Sequence, residues 1–182
     1  GTTLSAADST SNANNGTKNG TPSAIAGQID GGANFSGSSD NVNITSISLN
    51  GVAYTISTWV VTPLPNSCSS YCTLTRGTND HQVLVNPSNL LGEYDNAGGT
   101  AFHSSGFSMA TLSGGWHYIA ARVNGSNTDF YVDGAYVGSS NIKSNDNITY
   151  FGNYQGGGQQ WGQTDEVRIS NVARSADWIK TE

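Results

Sequence analysis

Cationic side chains are scarce: seven Lys and Arg face thirteen Asp and Glu in 182 residues, for a formal charge of −6 and a pI near 4.7. A phosphate backbone is held through counterion release at a Lys/Arg patch, so this balance argues against nucleic acid as a partner. No long apolar run and no basic amphipathic helix is present, so neither a membrane span nor adsorption to a membrane surface is indicated. A signal peptide is also missing, and Gly1 opens mid-motif, which reads as a mature or excised product. Cysteine is limited to Cys68 and Cys72, and charged residues make up only 11% of the chain. Gly, Ser, Thr and Asn are abundant instead. Few helix formers and many turn formers favour short strands joined by polar loops. The length suits one domain spanning residues 1–182, large enough for a two-sheet core.

Along the chain, residues 1–31 form a polar lead-in. Short strands are expected at Ala33–Phe35 and Asn41–Ile44. The strongest strand signal is Tyr54–Val61, rich in β-branched and aromatic residues. Tyr54, Ile56, Thr58 and Val60 share one face, with Thr55, Ser57, Trp59 and Val61 on the other. Tyr71–Thr75, Gln82–Val85 and Thr100–His103 follow between Pro, Asn and Gly clusters. Trp116–Arg122 and Asp129–Val132 flank a polar Asn124–Asn127 turn, and Asp133-Gly134 reads as a two-residue hairpin turn into Ala135–Gly138. Ile148–Gly152 and Gln160–Ser170 complete the sheets. Ser175 then caps one helical turn reaching Lys180.

The stretch WHYIAARVNGSNTDFYVDGAYVGS over residues 116–139 and the closing Gly162–Ile169 strand, GQTDEVRI, carry a resemblance. Their order resembles that of laminin-G-like, concanavalin A-like jelly-roll domains, in which a "W-H-x-V-A" strand, a "Y-V-D-G-x-x-V-G" hairpin and a "G-x-I-D-E-V-R-I" strand succeed one another. The Ile56–Val60 segment resembles that family's "I-S-x-W-V" strand. The likeness covers residues 1–61 and 116–182 and is weakest in between, where such domains vary their binding loops. It implies an all-β antiparallel sandwich of jelly-roll type and a secreted, sugar-recognising or adhesive module. It also implies an initial strand ahead of Gly1–Leu4, which this chain lacks.

Several residues are candidates for chemistry. Asp8–Thr17 resembles the family's "D-x-S-G-N-x-N-x-G" lead-in and gathers carboxylate, amide and carbonyl oxygens, the donors a Ca2+ ion takes. The resemblance places this loop beside the closing strand, which makes Asp8, Asn12, Asn14 and Asp165 the expected ligands. An Asx-turn loop, in which Asn and Asp bond their own backbone, is the alternative. Catalysis is disfavoured. Retaining glycosidases need two carboxyls about 5–5.5 Å apart, whereas Asp165 and Glu166 point to opposite faces and no E-x-D-x-(x-)E set occurs. His81, His103 and His117 are dispersed and match no local catalytic signature. Cys68 and Cys72, spaced C-x3-C in a polar loop, fit a disulfide of an oxidising compartment. Two free thiols or half a metal site are the alternatives, and zinc lacks nearby partners.

Aromatic residues divide by context. Trp59 and Trp116 lie in strong strands and read as packing residues, and Trp178 as a staple for the terminal turn. Tyr71, Tyr94, Phe107, Tyr154 and Trp161 lie in or beside loops, where ring faces stack on sugars. In Tyr154–Trp161, Gln155, Gln159 and Gln160 supply amides beside both rings; a hairpin tip with Trp161 tucked inward is the alternative. Six N-x-S/T sequons occur, at Asn15, Asn19, Asn34, Asn43, Asn124 and Asn147, compatible with surface glycosylation in a host that performs it. The expected function is an extracellular, non-catalytic carbohydrate-binding or adhesion module steadied by calcium, with a polysaccharide or glycan as partner. The rival is a structural subunit of a surface layer or filament that self-assembles by strand exchange or attaches to a larger secreted protein. A glycoside hydrolase ranks third.

Overall fold

A computed structural model describes residues 3–65, 70–99, 101–154 and 157–182. The first half of the chain forms β1 (Gly16–Asn19), β2 (Ser23–Ala26), β3 (Gly31–Phe35), β4 (Asn41–Ser48), β5 (Thr55–Thr62), β6 (Cys72–Arg76) and β7 (His81–Val85). The second half forms β8 (Leu90–Asp95), β9 (Ala101–Ser108), β10 (Gly115–Asn124), β11 (Asn127–Val132), β12 (Ala135–Ser140), β13 (Asn147–Phe151) and β14 (Gly162–Ser170), then α1 (Ala176–Ile179). The strands make two seven-stranded antiparallel sheets. The first runs β1-β4-β13-β6-β7-β8-β9 and the second β12-β11-β10-β5-β14-β3-β2. This is the expected sandwich. The β1/β2 pair was not foreseen, because its polar GTKN and small SAIA segments sit at the sheet edges, where one side of a strand needs no apolar partner. Leu90–Asp95 was missed as well, since its pattern is broken by Gly92.

Strand alternation separates the layers. Tyr54, Ile56 and Val60 of the β5 region lie beside Ile119, Ala121 and Val123 of β10 and are buried with Leu74, Val83, Val85 and Leu91 of the first sheet in one continuous core. Alternate residues point outward. Trp59, Tyr118, Ala120 and Tyr131 form a second cluster on the outer face of the second sheet, and α1 covers it through Ile179, Ala176 and Trp178. Ser175 caps that turn, its side chain accepting the Trp178 N–H. Trp59 thus packs outward against Tyr118, ring centroids 5.3 Å apart, and Trp178 is the staple the sequence suggested.

Two turns show why the meander closes as it does. Asp133 (φ 49°) and Gly134 (φ 75°) are both left-handed, the backbone a two-residue hairpin between right-twisted strands demands. The Asn124–Asn127 turn is tighter than expected: Asn124 pairs with Asn127, leaving Gly125-Ser126 as the turn. At one side of the sandwich β12 lies directly over β9, and a side chain at Gly138 would collide with the Ser105 carbonyl. Backbone contact closes that side. The opposite side, beside β1 and β2, stays open.

Candidate functional site

On the first sheet the residues facing away from the core gather into one aromatic patch. Tyr94 of β8 stands directly between His81 of β7 and Phe102 of β9 as a cross-strand partner of each. Its neighbours on the strand, Leu91 and Glu93, point inward. Tyr71, just ahead of β6, packs edge-on against Tyr94 at 5.4 Å and against Phe102 at 6.1 Å. Tyr154, in the loop after β13, lies 5.8 Å from the His81 ring. The Arg76 guanidinium stacks over Tyr154 at 3.9 Å from the ring centroid. Gly92 is the glycine this patch requires, since a Cβ there would meet the Phe102 ring and the His103 carbonyl. Tyr71, Tyr94, Phe102 and Tyr154 all remain partly exposed.

A chain of hydrogen bonds fixes the polar groups beneath the rings. Arg76 donates to His81 Nε2, so that nitrogen is an acceptor and Nδ1 carries the proton. His81 Nδ1 then donates to Thr73 Oγ1 at 3.0 Å, and the Thr73 hydroxyl donates to Gln159 Oε1 at 2.7 Å. His81 is therefore neutral. Burial, and then the Arg76 charge, lowers its pKa from 6.5 to about 3. Burial also lowers that of Arg76. Arg76 also donates to the Asn79 carbonyl at 3.2 Å and makes no ion pair with a carboxylate among the described residues.

The structure sorts the residues nominated from sequence. Tyr71, Tyr94 and Tyr154 come together; nothing in their separations of 23 and 60 positions announced it. Gln159, one of the three nominated glutamines, joins them through Thr73. Trp161 does not. It is fully buried in the core between the sheets, because it precedes β14 on the inward side, and its ring cannot stack on a sugar. Gln160 is buried as well, and Gln155 lies outside the described residues. Sequence reasoning missed Arg76, His81 and Phe102; the one available signal was that each lies two residues or fewer from a strand end flanking the variable loops.

The oxygen-rich lead-in takes up its Asx-turn form. Asp8 accepts the N–H of Thr10 and of Asn14, each at 2.8 Å, and these bonds lower its pKa. Asp165 accepts the N–H of Ile29 at 3.0 Å and of Glu166 at 2.8 Å. Asp8, Asn12, Asn14 and Asp165 border one cavity. In kind these hard oxygens suit Ca2+, and a carboxylate that accepts two N–H bonds keeps further lone pairs. The described residues contain no group of three or more His, Cys, Asp or Glu able to hold a metal. Cys72 opens β6 fully buried, and Cys68 lies outside the described residues.

Other acidic groups serve the scaffold. Asp133 accepts from His117 Nδ1 at 2.7 Å and from the Tyr118 N–H at 2.9 Å, while Asp129 pairs with Arg122 at 2.7 Å. At one end of the sandwich a polar cleft of about 690 Å3 is bordered by Asp80, Asp95 and Asp146. Asp80 fixes the Asn96 and Ala97 N–H groups and the Ser144 hydroxyl, and Asp146 fixes those of Asn79 and Asp80. Glu93 is completely buried. Burial first, then the nearby Asp80 and Asp95 charges, raises its pKa from 4.5 to about 8. The Thr128 hydroxyl and Ser144 backbone lie near enough to oppose that rise, yet neither carboxyl oxygen makes a hydrogen bond of full geometry.

These features define a class: a two-sheet jelly roll with one outer face covered by the C-terminal turn and the other carrying partly exposed aromatic rings. The family model for the concanavalin A-like lectin/glucanases superfamily, of laminin G type, matches residues 35–180. The chain belongs to that superfamily. No curated protein matches it. Among solved structures it resembles domain 4 of AbnA, a GH43 extracellular arabinanase from Geobacillus stearothermophilus solved with arabinotriose. The TM-score is 0.74 and the identity 17%, over 97% of this chain and 92% of that one. It also resembles the binding domain of Paraclostridial Mosquitocidal Protein 1, with TM-score 0.71 and 16% identity over 96% of this chain and 48% of that one. A heptameric SAP-like pentraxin from Limulus polyphemus aligns at TM-score 0.53 and 14% identity, over 78% of this chain and 73% of that one.

Proposed function

We propose that the chain is a non-catalytic, extracellular carbohydrate-binding module whose glycan lies on the outer face of the first sheet. The observation that carries this reading is the convergence of Tyr71, Tyr94, Phe102 and Tyr154 around Arg76 on that face. Ring faces take the apolar CH faces of a sugar, and the guanidinium and amide groups take its hydroxyls. The arabinotriose bound to the arabinanase domain of similar fold supports trying arabinan first. Each ring contributes on the order of 1 kcal/mol, so single-site affinity is weak and gains from multivalent display. Calorimetric titration with arabino-oligosaccharides and a panel of neutral polysaccharides tests it. Tyr94→Ala and Tyr154→Ala should each reduce affinity about fivefold to tenfold with unchanged circular dichroism. Absence of binding across the panel refutes the reading.

Two additions belong to the same proposal. A structural Ca2+ among Asp8, Asn12, Asn14 and Asp165 predicts that chelation lowers Tm, and that Asp165→Ala removes this sensitivity; identical melts with and without chelator remove the ion. A Cys68–Cys72 disulfide suits the extracellular setting, and two alkylatable thiols in native material would exclude it.

A further inference from the structure

The open side of the sandwich has an unfinished ladder on each sheet. β14 pairs with β3 only over Gly162–Thr164, yet it runs on beside β5 to Ser170. The strand bulges between Asp165 and Arg168, with Glu166 at φ 50°. A bulge of this kind ends one ladder and turns the strand. Beyond it, no strand among the described residues pairs with β14 on the β3 side. Across the interior β4 is in the same state. β1 accompanies it over Asn41–Ile44, and its remaining residues to Ser48 are unpaired on that side.

Between these free halves lies a cavity of about 800 Å3, bordered by Ile44, Ile47, Leu49, Phe151, Val167 and Ile169. All six are interior-facing and belong to the core or pack against it, yet Ile47, Phe151, Val167 and Ile169 stay partly exposed. Every residue of the 164–171 stretch borders the cavity. Leu4–Asn14 lies along it without joining either sheet; Ala6 packs against the core, and the segment is tied by the Gly16 N–H to the Ala6 carbonyl at 2.7 Å, Lys18 Nζ to the Leu4 carbonyl at 2.8 Å and the Asp8 N–H to Asn15 Oδ1 at 2.9 Å.

We propose that this groove is a strand-acceptor site. It takes one extended polypeptide segment, apolar at alternate positions, which pairs with the free edge of β14 and lays its apolar side chains on Phe151, Val167 and Ile169. Continuity of the ladder argues for a strand over other occupants. The free half of β14 presents N–H and C=O groups at alternate residues on that side, and a second backbone answers them all at once, the mode of β-augmentation. The apolar floor of Phe151, Val167 and Ile169 receives every second side chain of such a segment. A second copy of this chain is disfavoured by its charge of −6, since like-charged copies repel.

The probe is a fluorescein-labelled decapeptide alternating Val and Thr with a terminal Lys, read by anisotropy and by hydrogen exchange of the whole chain. Two further peptides carry N-methyl groups on one or the other alternate set of residues. The parent peptide should bind saturably and slow exchange of the Val167–Ser170 amides. Methylation of one set should weaken binding at least tenfold, because a strand pairs through one edge, while the other set is tolerated. No binding, no protection at Val167–Ser170, or equal loss with both methylated sets overturns the proposal. A chain that elutes as a dimer and is split by the peptide assigns the groove to a second copy instead. Displacement of the peptide by arabinotriose assigns it to sugar, and either result also overturns the proposed occupant.

Discussion

Raising the pH should weaken this fold through a single carboxyl group, Glu93. Its pKa rises from 4.5 to about 8 on folding, chiefly through burial and then through the Asp80 and Asp95 charges. The folded state therefore keeps a proton that the unfolded chain has lost. Glu93's contribution is fully present below pH 4.5 and is lost progressively as pH climbs through about 8. The span from 4.5 to about 8, at roughly 1.4 kcal/mol per pH unit, is on the order of 5 kcal/mol. Domains of this size are stable by only about 5–15 kcal/mol in total, so the loss would be plain in a urea melt. Glu93→Gln keeps the shape and removes the titration. Melts at about pH 5, 7 and 9 should show stability falling for the wild type and nearly level for the variant, any shared slope reporting the general acidic charge. Parallel curves would refute a neutral, buried Glu93.

Acid should act through His81. Its pKa, depressed from 6.5 to about 3, means that its contribution is present above 6.5 and is lost as pH falls through about 3, so His81→Gln should flatten the acid limb of the same melts. Because His81 stays neutral in the folded state, glycan affinity should be constant between about pH 5 and 8; a step near pH 6.5 in a titration series would contradict a neutral His81. Trp161→Ala should cost about 3–5 kcal/mol, the usual penalty for emptying a buried aromatic site, and leave glycan affinity per folded molecule unchanged. Loss of affinity at constant stability would return Trp161 to the binding face.

Much of the fold was legible because its signals are local. The alternation in Tyr54–Val61 separated Tyr54, Ile56, Thr58 and Val60 from Thr55, Ser57, Trp59 and Val61, and the structure turns the first face to the core and packs Trp59 on the other. Asp133-Gly134 announced its turn because few residue pairs tolerate two left-handed positions. The site was legible only in part. Tyr71, Tyr94 and Tyr154 were nominated for standing in or beside loops, and so was Trp161, for which the structure takes the inward alternative, since exposure is not a property of the neighbouring sequence. Arg76 and His81 gave no signal beyond standing at strand ends beside the variable loops, because their importance lies in the groups they meet.

While the antiparallel sandwich was implied by the resemblance of the chain's motifs to the jelly-roll family, composition, periodicity and turn residues by themselves determined a strand-dominated chain, its central strands, the two faces of each and the terminal capped turn. These follow from backbone preference and from a period of two, which neighbours along the chain enforce. Which outer face is covered, which rings converge on the open one, that Glu93 is sealed away from water and that β14 runs past its partner were decided by the tertiary structure alone. Each depends on strands far apart in sequence lying side by side, and burial, pKa and an unpaired edge are properties of that packing.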